Sequence, residues 1–230
     1  MGFDIETFIY AASVWAIPVL LAITLHEAAH GWAAWMLGDP TAKALGRVTF
    51  NPLKHIDPFG TVILPAFLVF TGVPFLFGWA KPVPVDMRRL RNPRRDMALV
   101  AAAGPMTNLA LAWASAMGVH LLFLLPHEAA VWVAENLERS IQINLILAVL
   151  NMLPLPPLDG GRVAVGILPD ALAYPLARLE KFGLFILIGV LFIVPMITKR
   201  LGLEFDLVGV LIREPVIWLK NALFAVTGLQ

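Results

Sequence analysis

No cysteine occurs anywhere in this chain of 230 residues. That excludes disulfides and any thiolate metal site. Charge is also scarce: Asp, Glu, Lys and Arg make up 14% of the residues, against about 25% in a soluble domain. The charges nearly cancel, at net +1, so nothing in the balance points to nucleic acid as a partner. The N-terminus lacks the basic region and small-residue cleavage site of a signal peptide, so its apolar run reads as a retained helix. Repeats, low-complexity tracts and a soluble domain are likewise missing.

What the chain has is apolar length. Hydrophobic residues make up 59% of it, and the mean hydropathy is +0.80. Residues 7–25 carry no charge, nor do residues 31–38, and between them sits His26-Glu27-Ala28-Ala29-His30. On a helix, positions four apart share a face. Two imidazoles placed so can ligate one Zn²⁺, with Glu27 beside them as a base for a water. A five-residue match of this kind arises by chance in many proteins. Inside a membrane it has no cheap structural excuse, because ionisable groups there are costly.

The layout follows from the apolar runs. A first helix is predicted over residues 6–37, with Pro18 as a potential kink and Gly38-Asp39-Pro40 as its stop. It is long enough to cross a bilayer of roughly 30 Å at about 1.5 Å per residue. Residues 39–59 are polar and turn-rich. Residues 61–77 are apolar but interrupted by Pro65, Gly72 and Pro74. In 78–85 the prolines forbid a helix and predict an extended edge segment. Residues 86–96 are basic, with Arg88, Arg89, Arg91, Arg94 and Arg95. Residues 97–125 form an uncharged span. A polar, partly helical connector at 128–139 precedes a further span from Ile141, broken by Pro154, Pro156 and Pro157. Residues 182–198 span again, and 204–230 read as an amphipathic or interfacial helix. The expected fold is an all-α polytopic membrane protein with about four to six transmembrane or re-entrant segments and a short extended or β segment near the active site. It forms one membrane-embedded domain over 1–230.

Lysine and arginine bias places the loop from Lys81 to Arg95 in the cytoplasm. For His26 and His30 to share a depth with the segment after Ile141, the first helix must end on that same side. Residues 61–77 then leave and return on one face, as a re-entrant hairpin would, though a simple span satisfies the composition too.

Catalytic zinc takes three protein ligands and one open position. His120 and His127 fall at the far end of the third hydrophobic segment, which leaves His55, Asp57 and Asp159 as candidates for the third ligand. Asp57 before Pro58 suits a turn, His55 suits an interfacial position as well as the site, and Asp159 suits an N-cap for a helix starting at Gly160.

Three motifs in order resemble the site-2 protease family of intramembrane zinc metalloproteases, in its short bacterial form without a PDZ domain. They are His26-Glu27-Ala28-Ala29-His30, Gly104-Pro105-Met106-Thr107-Asn108, and Asn151 with Leu158-Asp159-Gly160. Residues 51–60 and 78–82 are also similar to this subgroup, and the resemblance covers about residues 8–165, leaving C-terminal helices over 170–230. The resemblance implies that His26, His30 and Asp159 hold Zn²⁺, that Glu27 activates the water and that Asn151 lies near the scissile peptide or its oxyanion. It implies that 104–108 packs the core around the site and that 78–85 adds a strand to an unwound substrate. The implied activity is hydrolysis of peptide bonds in or near transmembrane helices. The implied setting is the inner membrane, multi-pass, with the active site towards the cytoplasm. Asn108 and Asn151 have a plainer alternative as hydrogen-bonding groups between helices. The basic loop reads as a topology signal at anionic lipid, and the tryptophans as interface anchors. The rival class is a non-enzymatic membrane metal-binding protein or metal transporter. A transporter needs ionisable residues on several spans, and the uncharged spans here offer only His120.

Overall fold

The computed structural model describes residues 5–71, 78–202 and 206–229. Most of it is helical, and no strand occurs among the described residues, so the β form expected near the active site is not seen: the prolines of 78–85 leave it without regular structure. The helices are α1 (Ile5–Met36), α2 (Thr41–Ala44), α3 (Leu64–Phe70), α4 (Pro93–Val119), α5 (His127–Asn151), α6 (Asp159–Ile167), α7 (Asp170–Arg178), α8 (Gly183–Ile188), α9 (Val194–Arg200) and α10 (Glu214–Thr227). Among the described residues, three stretches are long and apolar enough to cross a membrane: Ile5–Met36, Pro93–Val119 and Asp170–Thr198. The chain is an all-α polytopic membrane protein.

The core is a packed trio of α1, α4 and α5, with α4 antiparallel to the other two. At one end His26 and His30 of α1 meet Asn108 and Val100 of α4. At the other, Tyr10 donates to Glu135 at 3.1 Å and Trp132 donates to Ser13 at 3.1 Å. Small residues let the helix backbones approach: Ala101, Gly104, Ala112 and Ala116 of α4 are all buried in this contact. α1 continues as one helix through Pro18. It stops at Gly38, whose φ of +112° favours glycine. The next residue, Asp39, is fully buried and accepts from Thr41 N at 3.0 Å and Asp86 N at 2.7 Å. One carboxylate thus fastens the end of α1 to the end of the segment over 78–86.

Three boundaries differ from the sequence expectation, the first being α4, which runs over Pro93–Val119 rather than 97–125. The polar connector at 128–139 and the following span form one helix, because Glu, Ala, Leu and Arg all favour helix as strongly as the apolar half does. The helical stretch that carries the last apolar span begins at Asp170 rather than at residue 182, though Asp170, Arg178, Glu180 and Lys181 leave 182–198 as its uncharged part. In the segment over 204–230, Glu204 lies outside the described residues. α10 itself packs Val216, Leu219, Leu223 and Phe224 against Ala112, Ala116, Ile141 and Leu145, so its apolar stripe completes the core.

The interrupted segment after residue 60 starts as a π-helical turn, Pro58–Ile63, and continues as α3. α3 rises only about 10 Å. Gly72 and Pro74 lie outside the described residues. The chain is met again beside its point of departure: Trp79 N donates to Gly60 O at 3.1 Å, and Thr61 Oγ1 donates to Trp79 O at 2.8 Å. A Cβ at Gly60 would lie 2.4 Å from the Trp79 indole, so only glycine admits this closure. The two ends of the excursion therefore sit at one level.

Part of the basic loop is structural. Arg94 donates to Val165 O at 2.9 Å and also reaches Leu168 O and Asp170, clasping α4 to the end of α6. Arg88 pairs with Asp86 at 3.0 Å and, through that hydrogen bond above all, holds the Asp86 carboxyl below its ordinary range.

Candidate metal centre

His26 and His30 lie one turn apart on the last third of α1, and both are buried. Asp159 is the first residue of α6 and approaches them from across the bundle. The two Nε2 atoms are 3.0 Å apart, and Asp159 Oδ2 lies 3.2 Å from His26 Nε2 and 3.3 Å from His30 Nε2. Among the described residues this is the one group of three or more His, Asp or Glu placed to hold a metal.

The second ring nitrogens decide what this group is for. His30 Nδ1 is 2.7 Å from Val100 O and His26 Nδ1 is 2.6 Å from Asn108 Oδ1. Both partners accept, so both protons sit on Nδ1 and both Nε2 lone pairs face inward. Two lone pairs and a carboxylate oxygen converging at about 3 Å repel one another unless a cation lies among them. Zinc at roughly 2.0–2.1 Å from each donor, at tetrahedral angles, would set the donors roughly 3.4 Å apart. The residues fit a zinc ion.

Local sequence makes this convergence possible. A Cβ at Gly104 would lie 2.5 Å from His30 Nε2 and 2.6 Å from His26 Nε2, so glycine alone lets α4 pass behind both rings. A Cβ at Gly160 would lie 2.3 Å from Met152 O, and one at Gly161 would lie 2.5 Å from Pro156 N. The two glycines after Asp159 thus seat the start of α6 directly on the proline-broken turn. The N-cap position of α6 belongs to Leu158, with no side-chain cap bond. The Asp159 carboxylate is turned to the histidines instead of capping the helix.

Glu27 is half-buried and faces a cleft of about 400 Å³ shared with His26, His30, Asp159 and Asn151. Its Oε2 accepts from Val83 N at 2.9 Å. The segment over 78–86 carries no regular secondary structure, yet its peptides are fixed on one side. Trp79 N reaches Gly60 O, Lys81 N reaches His55 O at 2.9 Å, and Arg47 donates to Lys81 O at 2.6 Å. Asn151 ends α5 and lines the cleft; one of its amide hydrogens goes to Leu147 O at 3.0 Å, leaving the other N–H for a further acceptor.

The other ligand candidates lie elsewhere. His55 is buried with Nε2 3.1 Å from Thr49 O. Asp57 caps the π turn, accepting from Phe59 N at 3.1 Å and Gly60 N at 2.7 Å. His120 bonds Thr227 O at the far end of α4. Neither His55 nor Asp57 joins the group because each is fixed by its own loop. Asn108, read from the sequence as a packing or hydrogen-bonding residue, bonds His26 directly. Two participants were not singled out by sequence: the Val83 N–H, which no side-chain pattern reveals, and Asn144. Asn144 donates to Ser140 O and accepts from Asn108. Its signal was available, since Asn144 and Asn151 are seven apart on one face of an apolar helix.

No protein-family model matches the chain, and no solved structure is significantly similar. Curated relatives are. It is 39% identical over 184 residues to the "Putative zinc metalloprotease YwhC" of Bacillus subtilis, covering 78% of this chain and 80% of the relative. It is 30% identical over 196 residues to the "Putative zinc metalloprotease Rip2" of Mycolicibacterium smegmatis, 85% of this chain and 71% of the relative. The Rip2 of Mycobacterium tuberculosis is 34% identical over 176 residues, 76% of this chain and 65% of the relative. With a fold of apolar helices around a His, His and Asp group, the chain belongs to the site-2 protease family of zinc metalloproteases.

Proposed function

We propose that this membrane metalloprotease cleaves peptide bonds within or beside the transmembrane helices of other membrane proteins. The observation that carries the reading is the placement of His26, His30 and Asp159, with Glu27 beside them, in one cleft inside a bundle of apolar helices. A zinc ion held by these three supplies Lewis acidity and lowers the pKa of a water towards about 7. The chain's own residues do the rest. Glu27 takes the proton from the attacking water and passes it to the leaving amine. The free amide hydrogen of Asn151 is offered to the developing oxyanion. A substrate helix must unwind before cleavage, since its backbone groups are otherwise paired internally. The segment over 78–85 receives the unwound strand. The peptide N–H groups of Trp79, Lys81 and Val83 are bound inward, and the Ala80 peptide between them is left for a guest.

The catalytic core is about 8–165, in one domain with the C-terminal helices over 170–230. The protein resides in the inner membrane with the site towards the cytoplasm, from the lysine and arginine bias of 81–95. The test is cleavage of a model transmembrane peptide by purified protein in detergent. Cleavage is expected, is lost on chelation and returns with added zinc. Failure to cleave any of a panel of transmembrane peptides while zinc is bound would favour a metal-binding protein without this activity.

A further inference from the structure

We propose that Asn144, on α5, is a positioning residue for the metal centre: through Asn108 it fixes the tautomer and ring orientation of His26. The inference rests on the reading of His26 as a ligand.

The two histidines are held differently. His30 Nδ1 faces the Val100 carbonyl at 2.7 Å. A carbonyl only accepts, so His30 needs no help to keep its proton on Nδ1 and its Nε2 lone pair free. His26 Nδ1 faces a side-chain amide, Asn108, at 2.6 Å. An amide can present either its oxygen or its NH₂. Turned over, Asn108 would donate to Nδ1, move the His26 proton to Nε2, and occupy the lone pair that a metal needs.

Asn108 is prevented from turning. Its Nδ2 donates to Asn144 Oδ1 at 2.7 Å and, less closely, to Ala22 O at 3.3 Å. Asn144 is an amide too, and could itself turn. It is anchored by its Nδ2 donating to Ser140 O at 2.9 Å, again a carbonyl that only accepts. The orientation is therefore set at the Ser140 backbone on α5 and transmitted through two amides to a ring on α1. Asn108 and Asn144 are 0% and 1% exposed, so a reversed amide would meet carbonyl oxygen with oxygen and find no water to compensate. Partners behind a metal-bound histidine commonly fix its tautomer in this manner; here the fixing residue stands one step further back.

The experiment uses the full chain in detergent, with two readouts that do not depend on proteolysis. Nitrogen NMR of histidine-labelled, metal-free protein should find His26 protonated on Nδ1, and Asn144→Leu should convert it to a mixture of tautomers. Competition with a chromogenic zinc chelator should show Asn144→Leu binding zinc about tenfold more weakly, the low end for a residue behind a ligand. Asn144→Asp offers Asn108 an accepting oxygen whichever way it turns, so His26 should stay protonated on Nδ1 in this variant, although its second oxygen meets Ser140 O at a cost in stability; a merely space-filling role would leave the tautomer the same in the aspartate and leucine variants. Wild-type His26 protonated on Nε2, or Asn144→Leu binding zinc as tightly as wild type, would overturn the proposal. The wild-type tautomer decides it even where a variant fails to fold. A wild-type protein that binds no zinc would instead sink the metal-site reading, with the tautomer still deciding the relay.

Discussion

At the scale of single residues, the site is defined by which atoms have an alternative use. The sequence lets Asp159 be read as a helix cap or as a ligand; it lies one residue inside the N-cap position, which Leu158 holds, and its oxygen stands 3.2 and 3.3 Å from the two histidines. Asp159→Asn therefore separates the two roles, because asparagine caps as well as aspartate but is a poor neutral ligand. The variant should remain folded, with zinc affinity and activity both strongly reduced. Titration with a zinc chelator and a melting curve check this; unchanged affinity and activity would return Asp159 to the capping role. The pairing of His26 with His30 was legible from spacing and the membrane setting together, because helical periodicity places them and the apolar surroundings remove the alternatives. The third member of the candidate site was not. Spacing left His55, Asp57 and Asp159 level, since each sits in an irregular loop whose path no periodicity fixes. The structure separates them by what holds them: Thr49 O beside His55, the π turn above Asp57, and nothing but the histidines opposite Asp159.

At the scale of elements, the helices were readable and the connections were not. Uncharged runs gave α1 to within one residue at each end, but placed α4 at 97–125, four residues late at its start and six late at its end. The boundary within α5 was missed because polarity changes at residue 140 while helix propensity does not. The segment over 78–85 was legible as non-helical from its prolines, but not as the arm that holds Glu27. That contact uses the Val83 N–H between two prolines. Val83→Pro removes this donor and asks little of a backbone that proline already shapes on both sides. A hydrogen bond to a charged group is worth about 1.5–3 kcal/mol, so the loosened carboxylate should lower kcat by roughly tenfold or more while zinc content stays at wild-type level. Steady-state cleavage and metal analysis of the same preparation check it. Loss of zinc in parallel would mean that the segment supports the metal centre as a whole rather than Glu27.

At the scale of the whole molecule, the argument is one of sidedness. The end of α1, the return of the chain at Trp79, the start of α4 and the turn before Asp159 all gather at one end of the bundle. Tyr10, Glu135 and His120 mark the other. A chain without cysteine permits single labels without background. Cysteines placed at Lys54 and at Arg91 should both react with an impermeant thiol reagent from the cytoplasmic face and not from outside. Reaction of the two from opposite faces would make residues 61–77 a true span and break the common end. The most direct test of the central claim, that His26, His30 and Asp159 hold zinc for Glu27 to use, is a paired measurement on Glu27→Gln and wild type: zinc per chain, and turnover of one transmembrane peptide. One zinc per chain is expected in both, with turnover lower in the variant by about 10²–10⁴. Equal turnover, or a wild-type protein without zinc, would contradict the account.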